Sequence, residues 1–193
     1  MIIVGVGVGP GMLTQKAIEV IKNAPVIYTS KRALELASVH INCETHEIEN
    51  YRELHLLPED AVVLSTGDPM FSGLGKFAGE GDRIIPGISS LQVACARLRV
   101  NLTDIVAITA HGRGASLAKD TFVQELELGK NIFLLPDASF GVAEVVSVLR
   151  NTQINARIYV CENLGYPDER IAKGTVDSPP VVESDMFCIL VVQ

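Results

Sequence analysis

Three glycine-containing segments each follow a short apolar run, and their residue types suit the binding of a small ligand. They read VGVGPG at residues 6–11, VVLSTGDPMFSGLG at residues 62–75 and IPGISSLQ at residues 85–92. Gly67, Asp68 and Pro69 would make a tight turn by themselves, because glycine supplies unusual dihedral angles and Asp-Pro favours a reversal. The additional Gly73 and Gly75 indicate a backbone kept bare for a ligand, with Asp68 able to accept from its hydroxyl or ammonium groups.

The glycine spacing at the start of the chain does not fit the common nucleotide-binding patterns. A Rossmann fingerprint needs G-x-G-x-x-G and an acidic residue about 20 positions later. Glycines here occupy positions 5, 7, 9 and 11, and Pro10 has no backbone N–H to donate to a phosphate. The next apolar run ends in Thr29-Ser30-Lys31-Arg32 without an acidic residue. The P-loop pattern is also absent. The sequence therefore disfavours a nicotinamide, a flavin and a P-loop nucleotide.

The histidines and cysteines do not predict a metal site. No histidine pair has the H-x-x-x-H spacing, and the cysteines are widely separated without a C-x-x-C motif. We expect four reduced, mostly buried thiols. The residues concerned are His40, His46, His55, His111, Cys43, Cys95, Cys161 and Cys188.

Short apolar runs alternate with segments of helical periodicity, which is typical of α/β architecture with a largely parallel sheet. Thr14 is a predicted N-cap for a helix that buries Ala17, Ile18 and Ile21, and Ser89 or Ser90 begins another. A further helix is predicted over residues 138–149. The predicted strands are 2–6, 25–29, 61–65, 83–85, 104–110, 131–135, 157–161 and 186–192.

These elements predict two domains, residues 1–103 with a mostly parallel sheet and residues 104–193 with a mixed sheet. The glycine-containing segments follow strand ends, which is the edge where open α/β sheets bind ligands. A net charge of −7 disfavours nucleic acid and anionic membranes, and 48% hydrophobic residues indicate a substantial core. No apolar run is long enough to span a bilayer, so we expect a soluble, cytoplasmic protein.

Five segments together, in this order and spacing, resemble the tetrapyrrole methylases. They are VGVGPG (6–11), STGDPMFSGLG (65–75), IPGISSLQ (85–92), TAHGR (109–113) and CENLGYPDERIAKGT (161–175). The SKR, HGR and ENLGYPDERI segments are similar to the branch that methylates C5 of a (cobalt-)precorrin in corrin (cobalamin, vitamin B12) biosynthesis. The resemblance implies two α/β domains with S-adenosylmethionine in the cleft between them, in a homodimer.

Cofactor-binding residues follow from the resemblance where this sequence matches the family's motifs. The implied residues are Pro10, Thr66, Gly67, Asp68, Phe71, Ser89, Ser90, Leu135, Pro136, Asp137, Leu164 and Gly165. Two positions depart from the family's pattern. The loop between Gly11 and Thr14 is shortened, which affects the placement of Pro10, and Ser72 stands where an aromatic residue is common.

The substrate that the resemblance implies is a macrocycle with many carboxylate groups. Arginine binds carboxylates in bidentate fashion, so Lys31, Arg32 and Arg113 are the predicted substrate contacts, and Arg170 is a weaker candidate. A solvated surface charge is the alternative for each. Methyl transfer can rely on positioning, but a proton must leave the methylated carbon. His111 is the candidate acceptor, with Asp168, Glu169 and solvent as alternatives.

Two other functions are compatible with the same fold. A methyltransferase could act on another precorrin position, a protein side chain or ribosomal RNA, although the net charge and ENLGYPDERI disfavour the last two acceptors. A binding module could sense S-adenosylmethionine without turnover. The chain has no second module for C15 methylation and decarboxylation, so a separate partner enzyme is implied.

Overall fold

The computed structural model describes residues 1–110 and 115–193 of the chain. The chain divides into two compact units, Met1–Ser90 and Leu91–Gln193. Each unit contains one five-stranded sheet. The two sheets confirm the predicted α/β class. The predicted domain boundary near residue 103 stays a prediction. The division into compact units falls earlier, after Ser90, so that the helix containing Leu98 belongs almost wholly to the second unit.

All strands of the first sheet run parallel, in the order β3-β2-β4-β1-β5. Ile3, Val4, Val63 and Leu64 are buried on both faces of the central strands, as expected where a parallel sheet is covered on each side. The strands are β1 (Ile2–Gly5), β2 (Val26–Thr29), β3 (Glu44–Glu47), β4 (Val62–Ser65) and β5 (Arg83–Ile85).

Two helices cover one face of this sheet. Helix α1 (Gln15–Lys22) begins after Thr14, whose hydroxyl accepts from the N–H of Ala17 at 3.1 Å, as predicted. Helix α2 (Lys31–Ala37) begins after Ser30, which caps it through the N–H of Ala33 at 3.3 Å. The opposite face is covered by short 3-10 helices at Tyr51–Leu56 and Leu74–Phe77.

The second sheet is mixed, in the order β6-β7-β10-β8-β9. Only β6 and β7 pair in parallel, and the remaining neighbours are antiparallel. One face packs a core against α4 and α5 that includes Phe122, Leu134 and Leu149. The elements of this unit are α3 (Ser90–Leu98, from the last residue of the first unit), β6 (Ile105–Thr109), α4 (Ala115–Glu127), β7 (Asn131–Leu135), α5 (Val142–Thr152), β8 (Arg157–Glu162), β9 (Arg170–Gly174) and β10 (Phe187–Val192).

One predicted helix begins later than the sequence pattern indicates. The helix expected from residue 138 begins at Val142, because Asp137 holds residues 138–140 in a turn. Its Oδ1 accepts from the N–H of Ser139 at 2.8 Å and that of Phe140 at 2.9 Å. An aspartate that accepts from the amides following it stabilises a turn in competition with a helix.

Membrane-spanning helices and metal-binding clusters are both absent from the described part of the chain. Among its helices, none is both long and apolar enough to cross a membrane. Within residues 1–110 and 115–193, no three His, Cys, Asp or Glu side chains are arranged to hold a metal ion.

Candidate functional site

The first sheet brings the three glycine-containing loops together at one edge. Strand β1 lies between β4 and β5, so the loops after these three parallel strands are neighbours. The chain leaves β1 toward β2 and leaves β4 toward β5, so adjacent strands have connections in opposite directions. Ligands of open α/β sheets bind at such a switch point. Two backbone hydrogen bonds link the loops here. The N–H of Gly67 donates to the Gly7 carbonyl oxygen at 2.8 Å, and the N–H of Gly7 donates to the Gly67 carbonyl oxygen at 3.2 Å.

Gly5 and Gly87 permit the close approach of these loops. A Cβ atom at Gly5 would lie 2.6 Å from the nitrogen of Gly87 and 2.7 Å from the carbonyl oxygen of Gly67. A Cβ atom at Gly87 would overlap the same Gly67 oxygen. Since backbone atoms cannot move aside as a flexible side chain does, glycine is required at both positions.

Gly67 differs from its neighbours because the space beside it is open. Its φ of +68° lies in the left-handed region that favours glycine, and a Cβ atom there would meet nothing within 4 Å. No protein atom therefore fills the space beside Gly67. Open space beside a half-buried backbone at a switch point fits a small ligand that approaches closely.

Gly73 and Gly75 have a different explanation from the one the sequence indicated. A Cβ atom at Gly73 would lie 2.8 Å from the carbonyl oxygen of Asp68, and one at Gly75 would lie 2.5 Å from the sulfur of Met70. Both glycines thus allow the loop to fold back on itself. The packing of the loop therefore accounts for both glycines without a ligand, and their role beside a ligand stays a prediction.

Asp68 connects two of the loops through its carboxylate. Its Oδ1 accepts from the N–H of Met70 at 2.8 Å, and its Oδ2 accepts from the N–H of Gly87 at 3.0 Å. The side chain is half-buried, and each carboxylate oxygen has a further lone pair. Asp68 therefore fixes the loop after β4 and retains the capacity to accept from a ligand.

Replacement of Asp68 by alanine is expected to lower the free energy of unfolding by about 1 to 3 kcal/mol, because two backbone donors lose their acceptor. Urea denaturation measures the change. Glu80→Ala, at an exposed position of the same unit, is the control and should change the free energy by less than about 0.5 kcal/mol. A wild-type unfolding curve for Asp68→Ala would show that this connection contributes nothing.

The predicted substrate residues Lys31 and Arg32 begin helix α2, directly after β2. Lys31 is exposed, whereas Arg32 is half-buried and donates from Nη2 to the carbonyl oxygen of Val8 at 2.7 Å. Arg32 therefore connects α2 to the loop after β1. Pro10 is exposed in that loop, and Ser89 is buried at the end of the loop after β5.

The second sheet brings Leu135–Asp137 and Leu164–Gly165 to the same edge. Strands β7 and β8 both run antiparallel to β10, which lies between them, so their carboxyl ends share an edge. Asp137 makes the turn described above. Leu164 is buried, and the N–H of Gly165 donates to Glu169 Oε2 at 2.7 Å.

The loop after β8 is held by side chains of the ENLGYPDERI segment and by Arg97 of helix α3. Asn163 adopts a φ of +48° and donates from Nδ2 to Asp168 at 2.8 Å. Glu169 accepts from Arg97 Nε at 2.5 Å as well as from Gly165. Burial by itself would raise the pKa of Glu169, but Arg97 and the Gly165 N–H hold it below the ordinary value. Both carboxylates proposed as alternative proton acceptors thus already accept hydrogen bonds from neighbouring groups.

Glu162 is a buried carboxylate that the sequence reasoning missed. It is 1% exposed and accepts from the N–H groups of Glu183 at 2.5 Å and Ser184 at 2.9 Å, and from Arg170 at 2.5 Å. Burial raises its pKa, but these donors together hold the pKa below the ordinary carboxyl value. The stability that Glu162 contributes is therefore present above that ordinary range and is lost as the pH falls through the lowered pKa.

Arg170, the weaker substrate candidate, is committed to pairs within its own unit. It contacts Glu162, the Val181 carbonyl oxygen and Glu183. Its position opposite Glu162 in the β8–β9 ladder explains the pair. His111 and Arg113 lie outside the described residues.

A cavity of about 440 Å³ opens elsewhere in the first unit, and no predicted site residue lines it. The acidic side chains of Glu47, Glu49 and Glu53 at its wall would repel a substrate rich in carboxylates. The remaining lining residues are Tyr28, His46, Ile48, Asn50, Leu54, Leu56 and Leu57. This cavity is not a candidate for the anionic substrate.

Curated relatives share sequence with most of this chain, and one of them is also similar in length. A protein named probable cobalt-precorrin-7 C(5)-methyltransferase, from Methanocaldococcus jannaschii, is 35% identical, with 86% of each chain covered. A Sinorhizobium protein named precorrin-6Y C(5,15)-methyltransferase [decarboxylating] is 30% identical over 88% of this chain. This chain spans only 43% of the length of that longer relative.

Solved structures agree with the fold. The precorrin-6Y methylase of Archaeoglobus fulgidus superimposes with a TM-score of 0.75 and 34% identity, covering 100% of this chain and 97% of that one. A uroporphyrin-III C-methyltransferase of Thermus thermophilus complexed with S-adenyl homocysteine has a TM-score of 0.72 at 19% identity, with coverage of 100% and 96%. The model of the tetrapyrrole (corrin/porphyrin) methylases matches residues 2–180. The chain belongs to the tetrapyrrole methylase family.

Proposed function

We propose that this methyltransferase transfers a methyl group from S-adenosylmethionine to C5 of a (cobalt-)precorrin in cobalamin biosynthesis. The observation that carries the proposal is the 35% identity to the relative from M. jannaschii over most of both chains. The segments SKR and ENLGYPDERI, which resemble the C5-methylating branch, support the same acceptor. The identity to the methylase of A. fulgidus, named for a precorrin, also supports it.

The open space beside Gly67 fits the cofactor. The backbone N–H of Gly67 is bonded to Gly7, but the absence of a side chain lets a ligand approach closely, and Asp68 retains a lone pair for a hydroxyl or ammonium group. Bound S-adenosylmethionine supplies an electrophilic sulfonium methyl group. The proposed binding residues of the first unit are Pro10, Thr66, Gly67, Asp68, Phe71, Ser89 and Ser90, and those of the second are Leu135, Pro136, Asp137, Leu164 and Gly165.

The chain's contribution to the reaction is mainly alignment and exclusion of water. A meso carbon flanked by pyrrole-like nitrogens is already a nucleophile, so positioning can supply most of the acceleration. Lys31, Arg32 and Arg113 are proposed to bind the carboxylates of the macrocycle. The family relationship supports these roles, and the exposed position of Lys31 is compatible with them.

His111→Ala is expected to slow methyl transfer by less than about a hundredfold, the lower limit for the loss of a general base. The reason is that positioning supplies most of the acceleration and solvent can accept the proton. Single-turnover rates with saturating cofactor measure the effect. A larger loss would identify His111 as the proton acceptor and contradict catalysis by positioning.

The proposed function is tested by incubating the protein with methyl-labelled S-adenosylmethionine and the precorrin substrate. Label at C5 of the macrocycle supports the proposal, and label at another carbon assigns a different acceptor position. Cofactor binding without transfer to any tetrapyrrole would indicate a sensor of S-adenosylmethionine. Parallel assays with cobalt-containing and cobalt-free substrates determine which form is accepted.

We further propose that the protein acts as a homodimer in the cytoplasm with a separate enzyme for C15 methylation and decarboxylation. The name of the Sinorhizobium relative, which includes both positions and decarboxylation, supports a link between the two reactions. Sedimentation of the purified protein tests the dimer. Reconstitution with a C15-methylating, decarboxylating enzyme tests whether the C5-methylated product is consumed.

A further inference from the structure

Glu162 connects the loop after β8 to the segment that precedes β10, about 20 residues later in the sequence. It is the last residue of β8, and its partners Glu183 and Ser184 precede β10. One carboxylate oxygen accepts from these two N–H groups, and the other accepts from Arg170. A buried carboxylate is costly unless it is paired in this way.

Further hydrogen bonds extend from this carboxylate to the loop. Ser184 Oγ donates to Asn163 Oδ1 at 2.9 Å and accepts from the N–H of Met186 at 3.2 Å. The N–H of Asn163 donates to the Met186 carbonyl oxygen at 3.0 Å. Residues 183–186 thus hold Asn163 in its left-handed conformation, which directs the chain into Leu164 and Gly165.

Glu162 is unsuited to direct chemistry. It has almost no solvent exposure, and both of its oxygens are occupied. Its lowered pKa keeps it ionised at neutral pH, which agrees with a role as a fixed charge. The neighbouring Leu164 and Gly165, in contrast, are proposed to bind the cofactor.

We propose that Glu162 is a positioning residue that fixes residues 163–165 in the conformation that binds S-adenosylmethionine. It acts through Glu183, Ser184 and Asn163 and does not contact the ligand itself. This inference rests on the proposed function. It predicts that loss of the charge changes cofactor affinity and leaves the chemical step largely unaltered.

Glu162→Gln separates these effects because it keeps the size of the side chain. The amide NH₂ would have to face either backbone N–H groups or the Arg170 guanidinium, all of which are donors. We expect the dissociation constant for S-adenosylmethionine, measured by calorimetry, to rise about tenfold, as for one lost charge-assisted hydrogen bond. The kcat at saturating cofactor should stay within about twofold of wild type.

Two further variants make the test specific. Glu183→Gln removes only the charge of an exposed side chain that pairs with Arg170 and keeps the backbone donor, so wild-type affinity is expected. Ser184→Ala is a milder change should Glu162→Gln fail to fold. It removes the hydroxyl between Asn163 and Met186 and should weaken affinity in the same direction.

Hydrogen exchange without cofactor provides an independent readout. The amides of Leu164 and Gly165 should exchange faster in Glu162→Gln or Ser184→Ala than in wild type. Unchanged exchange and unchanged affinity in both variants would overturn the inference, and so would an equal fall in kcat and kcat/KM with unaltered affinity. Failure of the wild-type protein to bind S-adenosylmethionine would instead overturn the proposed function, and with it the role of Glu162 in cofactor binding. Hydrogen exchange would still report whether Glu162 fixes residues 163–165.

Discussion

Gly87→Ala is expected to lower the free energy of unfolding by about 3 kcal/mol, the upper part of the usual range for overpacking. The new methyl group would overlap the Gly67 carbonyl oxygen and approach the backbone of Gly5. Relief of the overlap would separate the loops after β1, β4 and β5. Urea denaturation measures the loss, and an unchanged midpoint would show that the loops can move apart without cost.

Gly67→Ala is the matched comparison, because its methyl group would meet no protein atom within 4 Å. The left-handed φ should cost about 1 kcal/mol of stability. Affinity for S-adenosylmethionine should nevertheless fall about tenfold or more, since a methyl group in ligand space costs energy as overpacking does. Alanine is preferred to valine at this position, because a β-branched side chain at positive φ would add backbone strain to the effect on ligand binding. Unchanged affinity in calorimetric titration would remove this loop from the cofactor site.

The apolar strands were predictable because burial on both faces leaves a continuous hydrophobic run. The two strands that were missed, β3 and β9, lie at sheet edges and read ETHE and RIAKG. An edge strand is half-solvated, so its sequence needs no apolar run or clear alternation. The capping role of Thr14 could be predicted because it depends on the three residues that follow it.

Contacts between distant positions could not be predicted from local patterns. Asp68 and Gly87 are 19 residues apart, and Arg97 and Glu169 are 72 apart. Both pairs depend on the order of elements in space. Glu162 ends an apolar strand, and a charged residue there is ordinarily expected to face solvent. The left-handed conformation of Asn163 could have been predicted, because asparagine tolerates this region better than most residues.

Arg113→Ala is expected to raise the dissociation constant of the tetrapyrrole by about tenfold to a hundredfold, since a charge-assisted contact to a carboxylate contributes about 1.5 to 3 kcal/mol. Cofactor affinity should barely change. Substrate binding should also depend less steeply on salt, because a screened electrostatic contact has been removed. Absorbance titration with the macrocycle at two ionic strengths measures both quantities. Arg52→Ala, which removes an exposed charge outside the proposed site, is the control for net charge.

Arg32 needs a different design, because its bond to the Val8 carbonyl oxygen gives it a second role in holding the loop after β1. Arg32→Ala should therefore weaken both substrate and cofactor binding, whereas Lys31→Ala, at an exposed position, should weaken only substrate binding. If Arg113→Ala and Lys31→Ala both leave tetrapyrrole affinity and its salt dependence unchanged, these charges do not bind the macrocycle. A fall in cofactor affinity alone for Arg32→Ala would then assign Arg32 to the cofactor loop, and the carboxylates of the substrate would require other basic residues.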